Sequence, residues 1–251
     1  MNLENFYLLN YAWIALAVII FLTLVILKVR APYGRHTNDK WGKMISNHWG
    51  WFWMELPAFL LFPILTFIGP REKDWLTWLV VGLWTLHYFN RTIIFPFRSR
   101  TRGKKMPLTI VFSALFFNGM NGFLNGYYLG YLAPEDAPGI TVNVVVGLAL
   151  FFLGMYINQG TDSRLIALRK KQGGYQIPKG WLFKYISCPN HFGEIVEWAG
   201  FAIVAWSIPA VTFAVWTFCN LVPRALNHHE WYQENFEDYP KDRKAVLPKI
   251  W

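Results

Sequence analysis

Residues Trp51–Gly69 read WFWMELPAFLLFPILTFIG, an almost wholly apolar run with a single carboxylate at Glu55. A helix crosses the hydrocarbon core of a bilayer with roughly 20 apolar residues, so this run is long enough to span. Six further runs flank it: Tyr11–Lys28, Trp75–Phe95, Pro107–Tyr131, Ile140–Asn158, His191–Trp206 and Ile208–Leu226. The His191–Trp206 run is short and carries two glutamates. Pro209 breaks the chain just after it and predicts a tight hairpin. The first run lacks a basic leader and a small-residue cleavage site, so it reads as a spanning helix rather than a signal peptide. Across all 251 residues 54% are hydrophobic, 19% aromatic and only 16% charged, against about a quarter charged in soluble domains. That argues against a soluble globular enzyme and against a disordered chain. The net charge of +9 suits nucleic acid or a membrane surface, and the apolar runs favour the membrane. Cys188 and Cys219, the only cysteines, cannot build a disulfide framework.

Positive charge sets orientation. Lys28–Gly50 holds five bases and one acid, Arg98–Lys105 five bases and no acid, and Asn158–Lys184 six bases against Asp162. Glu4, the Arg71–Asp74 turn and Glu135–Asp136 sum to zero or below. The two kinds alternate, as seven spans require. The expected fold is therefore all-α: one multi-pass membrane domain over residues 1–251, seven transmembrane helices, N-terminus outside and C-terminus cytosolic. The tail Arg224–Trp251 has five bases and five acids and is placed by parity alone. No tandem repeats or low-complexity tracts interrupt the chain.

Ionisable side chains inside spans are costly, which makes them functional candidates by default. Glu55 is the first. Burial disfavours the charged form of a lone carboxyl, and a protonated acid can donate a hydrogen bond to a carbonyl. The bland reading is a glutamate snorkelling near the interface. His87 and Arg91 share a face at i, i+4; Arg91 is well explained by snorkelling and His87 by interhelix hydrogen bonding, while Tyr88 alone reads as a packed aromatic. Asn190, Glu194 and Glu197 fall within about 60° on a helix, and Asn158, Asp162 and Arg169 within about 40° if the fifth helix runs on past the membrane. Arg224, His228 and Tyr232 form a third stripe. Wetted helix faces account for the last two stripes on spacing alone. Gathered at the cytosolic side, though, their bases and amides could hold a phosphorylated cofactor, because arginine pairs with phosphate bidentately. Gly119, Gly122, Gly126 and Gly130 give the fourth span a small face for close packing.

Several signatures are missing. The sequence has no G-x-G-x-x-G, no complete P-loop at Gly42-Lys43 or Gly103-Lys104, and no HExxH. His228-His229-Glu230 looks metal-like, but adjacent histidines point to different sides of a helix, so zinc is not expected. Asn90-Arg91-Thr92 fits a glycosylation pattern inside a span, where it has no meaning.

A set of stretches in fixed order resembles the steroid 5α-reductase family. The tail carries Arg224-Ala-Leu-Asn-His-His-Glu-Trp-Tyr232, Phe236-Glu-Asp-Tyr-Pro-Lys241 and Arg243-Lys-Ala245. Upstream lie Leu182-Phe-Lys-Tyr-Ile-Ser187, Asn190, Gly193-Glu-Ile-Val-Glu-Trp198, His87-Tyr-Phe-Asn-Arg-Thr92, Asn121-Gly122 through Gly126-Tyr-Tyr-Leu129, Gly154 through Asp162, and Glu55-Leu-Pro57. Each is weak alone; together they run from residue 51 to the end.

The resemblance implies an oxidoreductase that takes hydride from NADPH and saturates the double bond of a 3-oxo-Δ4-steroid, the steroid entering from lipid. It implies Glu55 and Tyr88 as the pair that holds the steroid ketone. Arg102, Asn158, Asp162, Arg169, Asn190, Arg224, His228 and Tyr232 match NADPH-binding positions, and Trp51 and Trp198 match aromatic positions of the pocket. Glu194 matches a polar position near the cofactor. No metal and no nucleic acid are implied. Three positions depart from the familiar animal enzymes: Met54 replaces a glutamine, Gln176 an arginine and Ser99 an asparagine. They bear on steroid preference more than on reaction type. Two other classes compete: a membrane methyltransferase of the isoprenylcysteine type using S-adenosylmethionine, and a non-enzymatic sterol-binding protein. Several arginines near the expected pocket favour a multiply phosphorylated cofactor over the first. An acid and a phenol within the membrane have no purpose in the second.

Overall fold

The computed structural model describes residues 1–30, 34–37, 39–99, 103–135, 139–172 and 175–248. Helices occupy each predicted run: α1 (Leu3–Ile26), α2 (Asn47–Ile68), α3 (Trp75–Phe89), α4 (Phe95–Arg98), α5 (Leu108–Tyr127), α6 (Val142–Gln172), α7 (Pro189–Ala205) and α8 (Ile208–Asn235). A π-helical turn, Asn90–Ile94, joins α3 to α4, and another, Tyr128–Leu132, extends α5. Among the described residues four stretches are long and apolar enough to cross a membrane: Leu3–Ile26, Asn47–Ile68, Leu108–Leu132 and Val142–Lys170. By contrast α3 has 15 residues and α7 has 17, and α8 dilutes its apolar stretch with Asn220 and Arg224. The predicted hairpin is present: only Trp206 and Ser207 separate α7 from α8, Trp206 takes a positive φ of 43°, and Pro209 sits in the first turn of α8, where its missing N–H costs nothing.

One element departs from the all-α expectation. Strands β1 (Met44–Ser46) and β2 (Lys105–Pro107) pair antiparallel, Ile45 opposite Met106. Three residues per strand are too few for an alternating pattern to register in sequence. The ribbon immediately precedes α2 and α5, and Met106 is buried beneath them with Met54 and Val111.

The residues group into two compact units, 1–10, 31–145 and 204–210 in the first and 11–30, 146–203 and 211–251 in the second. Within the first, α2 and α5 pack backbone to backbone. A Cβ added at Gly122 would meet Ala58 and Pro57 of α2, at Gly126 Phe62, and at Gly130 Leu65, whereas Gly119 faces open space. Three of the four predicted small positions thus form the contact. Arg71 fastens the turn after α2: its guanidinium donates to the carbonyls of Ala133 and Pro134 at 3.0 and 2.9 Å, to Thr77 Oγ1 at 3.0 Å and to Asp74 at 2.8 Å. Asp74 in turn accepts from the Thr77 N–H and caps α3. Burial pushes the Asp74 carboxyl up, but Thr77 and Arg71 outweigh it and hold the group below the usual carboxylate range.

Within the second unit, the later part of α1 lies along α8, with Trp13 against Trp216 at 4.6 Å and Phe21 against Phe218 at 6.0 Å. Arg30 pairs with Glu234 at 2.7 Å. Helices α6 and α7 meet along a glycine seam. A Cβ at Gly154 would collide with backbone atoms of Gly193 and Glu197, at Gly193 with Asn158 and Gly154, and at Gly200 with Phe151 and Gly147. Backbone cannot give way as a side-chain tip can. Gly154→Leu should therefore destabilise the protein by about 3 kcal/mol or more, while Gly119→Ala should stay within about 0.5 kcal/mol of wild type. Thermal unfolding followed by tryptophan fluorescence in detergent measures both.

Candidate functional site

In the first unit three helices bring polar side chains to one buried point. Glu55, 9% exposed, lies on α2, and Tyr88, 3% exposed, on α3. Between them stands Asn118 of α5, which the sequence reading did not select. Its Nδ2 donates to the Met54 carbonyl at 2.7 Å and to Glu55 Oε2 at 3.3 Å. The Tyr88 hydroxyl donates to Asn118 Oδ1 at 3.3 Å. Trp84 walls the group, 4.9 Å from the Tyr88 ring, with its indole N–H bonded to the Ala58 carbonyl at 2.8 Å. Hydrogen bonding is what makes such burial tolerable, since an unsatisfied polar group in an apolar setting is costly. Glu55 is thus not a snorkelling side chain. Trp51 lies under Arg91, whose guanidinium carbon is 5.1 Å from its ring centre and 4.6 Å from that of Phe95, a cation–π arrangement. His87 is buried beside Tyr88.

In the second unit the stripes predicted on α6 and α7 interlock. Asn158 Nδ2 donates to the Asn190 carbonyl and to Glu194 Oε2, both at 3.1 Å, and Asn190 Nδ2 reaches Asp162 Oδ1 at 3.4 Å. Glu194 is thereby a partner of Asn158. Glu197 is fully buried further along α7. Farther down α6, Arg169 lines a cleft with Leu165, Leu168, Tyr175, Gln176 and Tyr232. Its guanidinium stands 5.4 Å over the Tyr175 ring. Tyr232 stacks on Tyr239 at 5.2 Å and 7°. Arg224 and His228 occupy the preceding turns of α8, and the His228 ring lies 5.8 Å from that of His191. Trp198 is buried between Phe151, Phe201 and Phe213. Arg102 falls outside the described residues. Among the described residues no three His, Cys, Asp or Glu side chains group as they would for a metal ion.

A second knot escaped the sequence reading. Ser187 Oγ lies 2.6 Å from both His229 Nδ1 and the Tyr239 hydroxyl and donates to the Lys244 carbonyl at 3.0 Å. Buried Arg243 reaches the Tyr239 hydroxyl at 3.4 Å and the Pro178 carbonyl at 3.2 Å. These bonds tie the segment after α8 to the loop before α7. Adjacent histidines do separate: His228 turns to His191 and His229 to Ser187. Burial pushes the Tyr239 phenol up, offset in part by Ser187 and Arg243.

The family model for 3-oxo-5-alpha-steroid 4-dehydrogenase matches residues 104–251. The chain is 38% identical over 250 residues to "Steroid 5-alpha-reductase DET2" of Solanum lycopersicum, covering 97% of each. It is 40% identical over 239 residues to the DET2 protein of Arabidopsis thaliana, 91% of each. It is 40% identical over 247 residues to "3-oxo-5-alpha-steroid 4-dehydrogenase 1" of Bos taurus, 96% of this chain and 95% of the other. The similarity therefore also takes in most of the chain before residue 51.

The His229 knot yields a pH prediction. Burial, then the Arg243 charge, hold this ring below the usual histidine range. The folded ring binds fewer protons than the unfolded one, so its contribution is present above the ordinary histidine range and is lost as pH falls through the lowered value. The melting temperature should drop between about pH 7 and pH 5, and His229→Gln should flatten that drop. Thermal melts across the pH series measure it.

Proposed function

The chain belongs to the 3-oxo-5-alpha-steroid 4-dehydrogenase family, an oxidoreductase family, and on that premise we propose that it reduces the Δ4 double bond of 3-oxo-Δ4-steroids to 5α-3-oxosteroids with NADPH. The carrying observation is that Glu55 and Tyr88, on different helices, meet at one buried amide. Both are competent donors toward a ketone oxygen when the carboxyl is neutral. Accepting a hydride at C5 moves negative charge onto the C3 oxygen. Donors already aimed at that oxygen stabilise the resulting enolate, which then takes a proton at C4. Such fixed electrostatic stabilisation is usually the largest catalytic contribution, and a site with little water strengthens it.

The residues of the second unit fit a phosphorylated dinucleotide. Arg169 stands beside tyrosine rings in a small cleft, offering charge for phosphate and flat faces for a base. Asn158, Asp162 and Asn190 offer donors and acceptors for sugar hydroxyls. With Arg224, His228 and Tyr232 they are the residues that would hold NADPH, which when bound supplies the hydride; Arg102 matches a further cofactor position by resemblance alone. By the family resemblance alone, Trp51 and Trp198 match aromatic positions around the steroid and nicotinamide. All seven apolar runs are taken to cross the membrane, with the N-terminus outside and the basic loops in the cytosol, in the endoplasmic reticulum or a bacterial inner membrane. A steroid would then arrive from lipid and the anionic cofactor from the basic side. The methyltransferase reading finds no favour in these similarities.

Purified protein with NADPH and testosterone or progesterone should lose reduced-nicotinamide absorbance and yield the saturated steroid. No turnover with any 3-oxo-Δ4-steroid overturns the reading. Glu55→Gln should lower kcat about a hundredfold with NADPH affinity nearly intact, measured by steady-state kinetics and cofactor titration. Arg169→Ala or Arg224→Ala should raise the KM for NADPH more than that for steroid.

A further inference from the structure

We propose that Asn118 is a positioning residue of the ketone-binding pair: its amide sets which Glu55 oxygen carries the proton and parks the Tyr88 hydroxyl until a ketone takes it over. The inference rests on the reading of Glu55 and Tyr88 given above.

The orientation of the amide follows from its neighbours. The Met54 carbonyl can only accept, so the group 2.7 Å from it must be the amide nitrogen. That places Oδ1 toward Tyr88, and Oδ1 can only accept, so the phenol must be the donor in the 3.3 Å bond. The second N–H of the same nitrogen points to Glu55 Oε2 at 3.3 Å. An oxygen that receives a hydrogen bond from an amide serves as the carbonyl oxygen of a neutral carboxyl. The acid proton accordingly belongs on Oε1, and Oε1 becomes the donor toward a ketone.

The bond lengths divide the labour. The Met54 bond is short and anchors the amide to α2. The two bonds to Glu55 and Tyr88 are long for their type, so both can lengthen or exchange at little cost. When a ketone oxygen arrives, the phenol proton turns from Oδ1 to it, while the amide remains held. Glutamate and tyrosine are kept as donors without competing for one another's protons. All three side chains are buried, so water does not scramble the arrangement.

Infrared difference spectroscopy of the full-length protein tests this without turnover. A protonated-carboxyl C=O band that vanishes in Glu55→Gln should move to higher wavenumber in Asn118→Leu, because the amide donor to that C=O is gone. Steady-state kinetics of Asn118→Leu should show steroid kcat/KM lowered about tenfold, with the NADPH dissociation constant within about twofold of wild type. Asn118→Ser serves if the leucine variant does not fold. A Glu55 band that stays in place, the absence of any Glu55-dependent band, or a kcat/KM within about twofold of wild type overturns the proposal. If the wild-type protein reduces no 3-oxo-Δ4-steroid, the functional reading fails, and the position of the carboxyl band still decides the role of Asn118.

Discussion

A carboxyl sunk in an apolar helix is the constraint on which the first unit turns. Glu55 has no bulk water to solvate it, and the cost of leaving such a group unpaired is several times that of an ordinary side-chain contact. Helix α5 answers with an amide, and that amide can reach across only because the two helices approach closely. The close approach is in turn the work of Gly122, Gly126 and Gly130, where a side chain would strike α2. Small residues on one face of α5 and a polar residue on the same helix are therefore two parts of one arrangement: the first sets the distance, the second uses it.

The second unit repeats the device with different chemistry. Glycines at 154, 193 and 200 press α6 and α7 together, and the polar groups along that seam bond to one another. The Asn158–Glu194 and Asn190–Asp162 pairs form a largely buried polar network, and α8 continues past its apolar stretch to carry Arg224, His228 and Tyr232. The knot of Ser187, His229 and Tyr239 fixes the chain after α8, so Tyr232 meets a fixed Tyr239 ring rather than a loose tail. In both units the membrane-type solution of close backbone contact serves to bring hydrogen-bonding groups within reach.

Much of this is legible from the chain itself. Apolar runs locate the helices, Pro209 marks the α7–α8 turn, and the 3.6-residue period assembles the stripes on α6, α7 and α8. Periodicity is a property of one helix, however, and it says nothing about what faces that helix. Asn118 stood in the sequence as one amide among Asn118, Asn121 and Asn125, with no sign of which would meet Glu55. Gly154 and Gly193 form a seam only once α6 and α7 are opposed. Arg71 sits in a turn whose charges cancel, so counting charge hides a buried guanidinium that bonds to Asp74, Thr77, Ala133 and Pro134. The β-ribbon is too short to leave a pattern. The pairing of Glu55 with Tyr88 came from the resemblance, not from spacing, because no local rule links α2 to α3.

In the proposed reaction these donors hold a ketone while hydride from a reduced nicotinamide reaches the ring carbon beyond it. Turnover of a 3-oxo-Δ4-steroid with NADPH deuterated at the transferring C4 position, followed by NMR of the product, tests it most directly. Deuterium is expected at C5 in the α configuration, with solvent hydrogen at C4. Deuterium absent from C5, with both new hydrogens drawn from solvent, would contradict it.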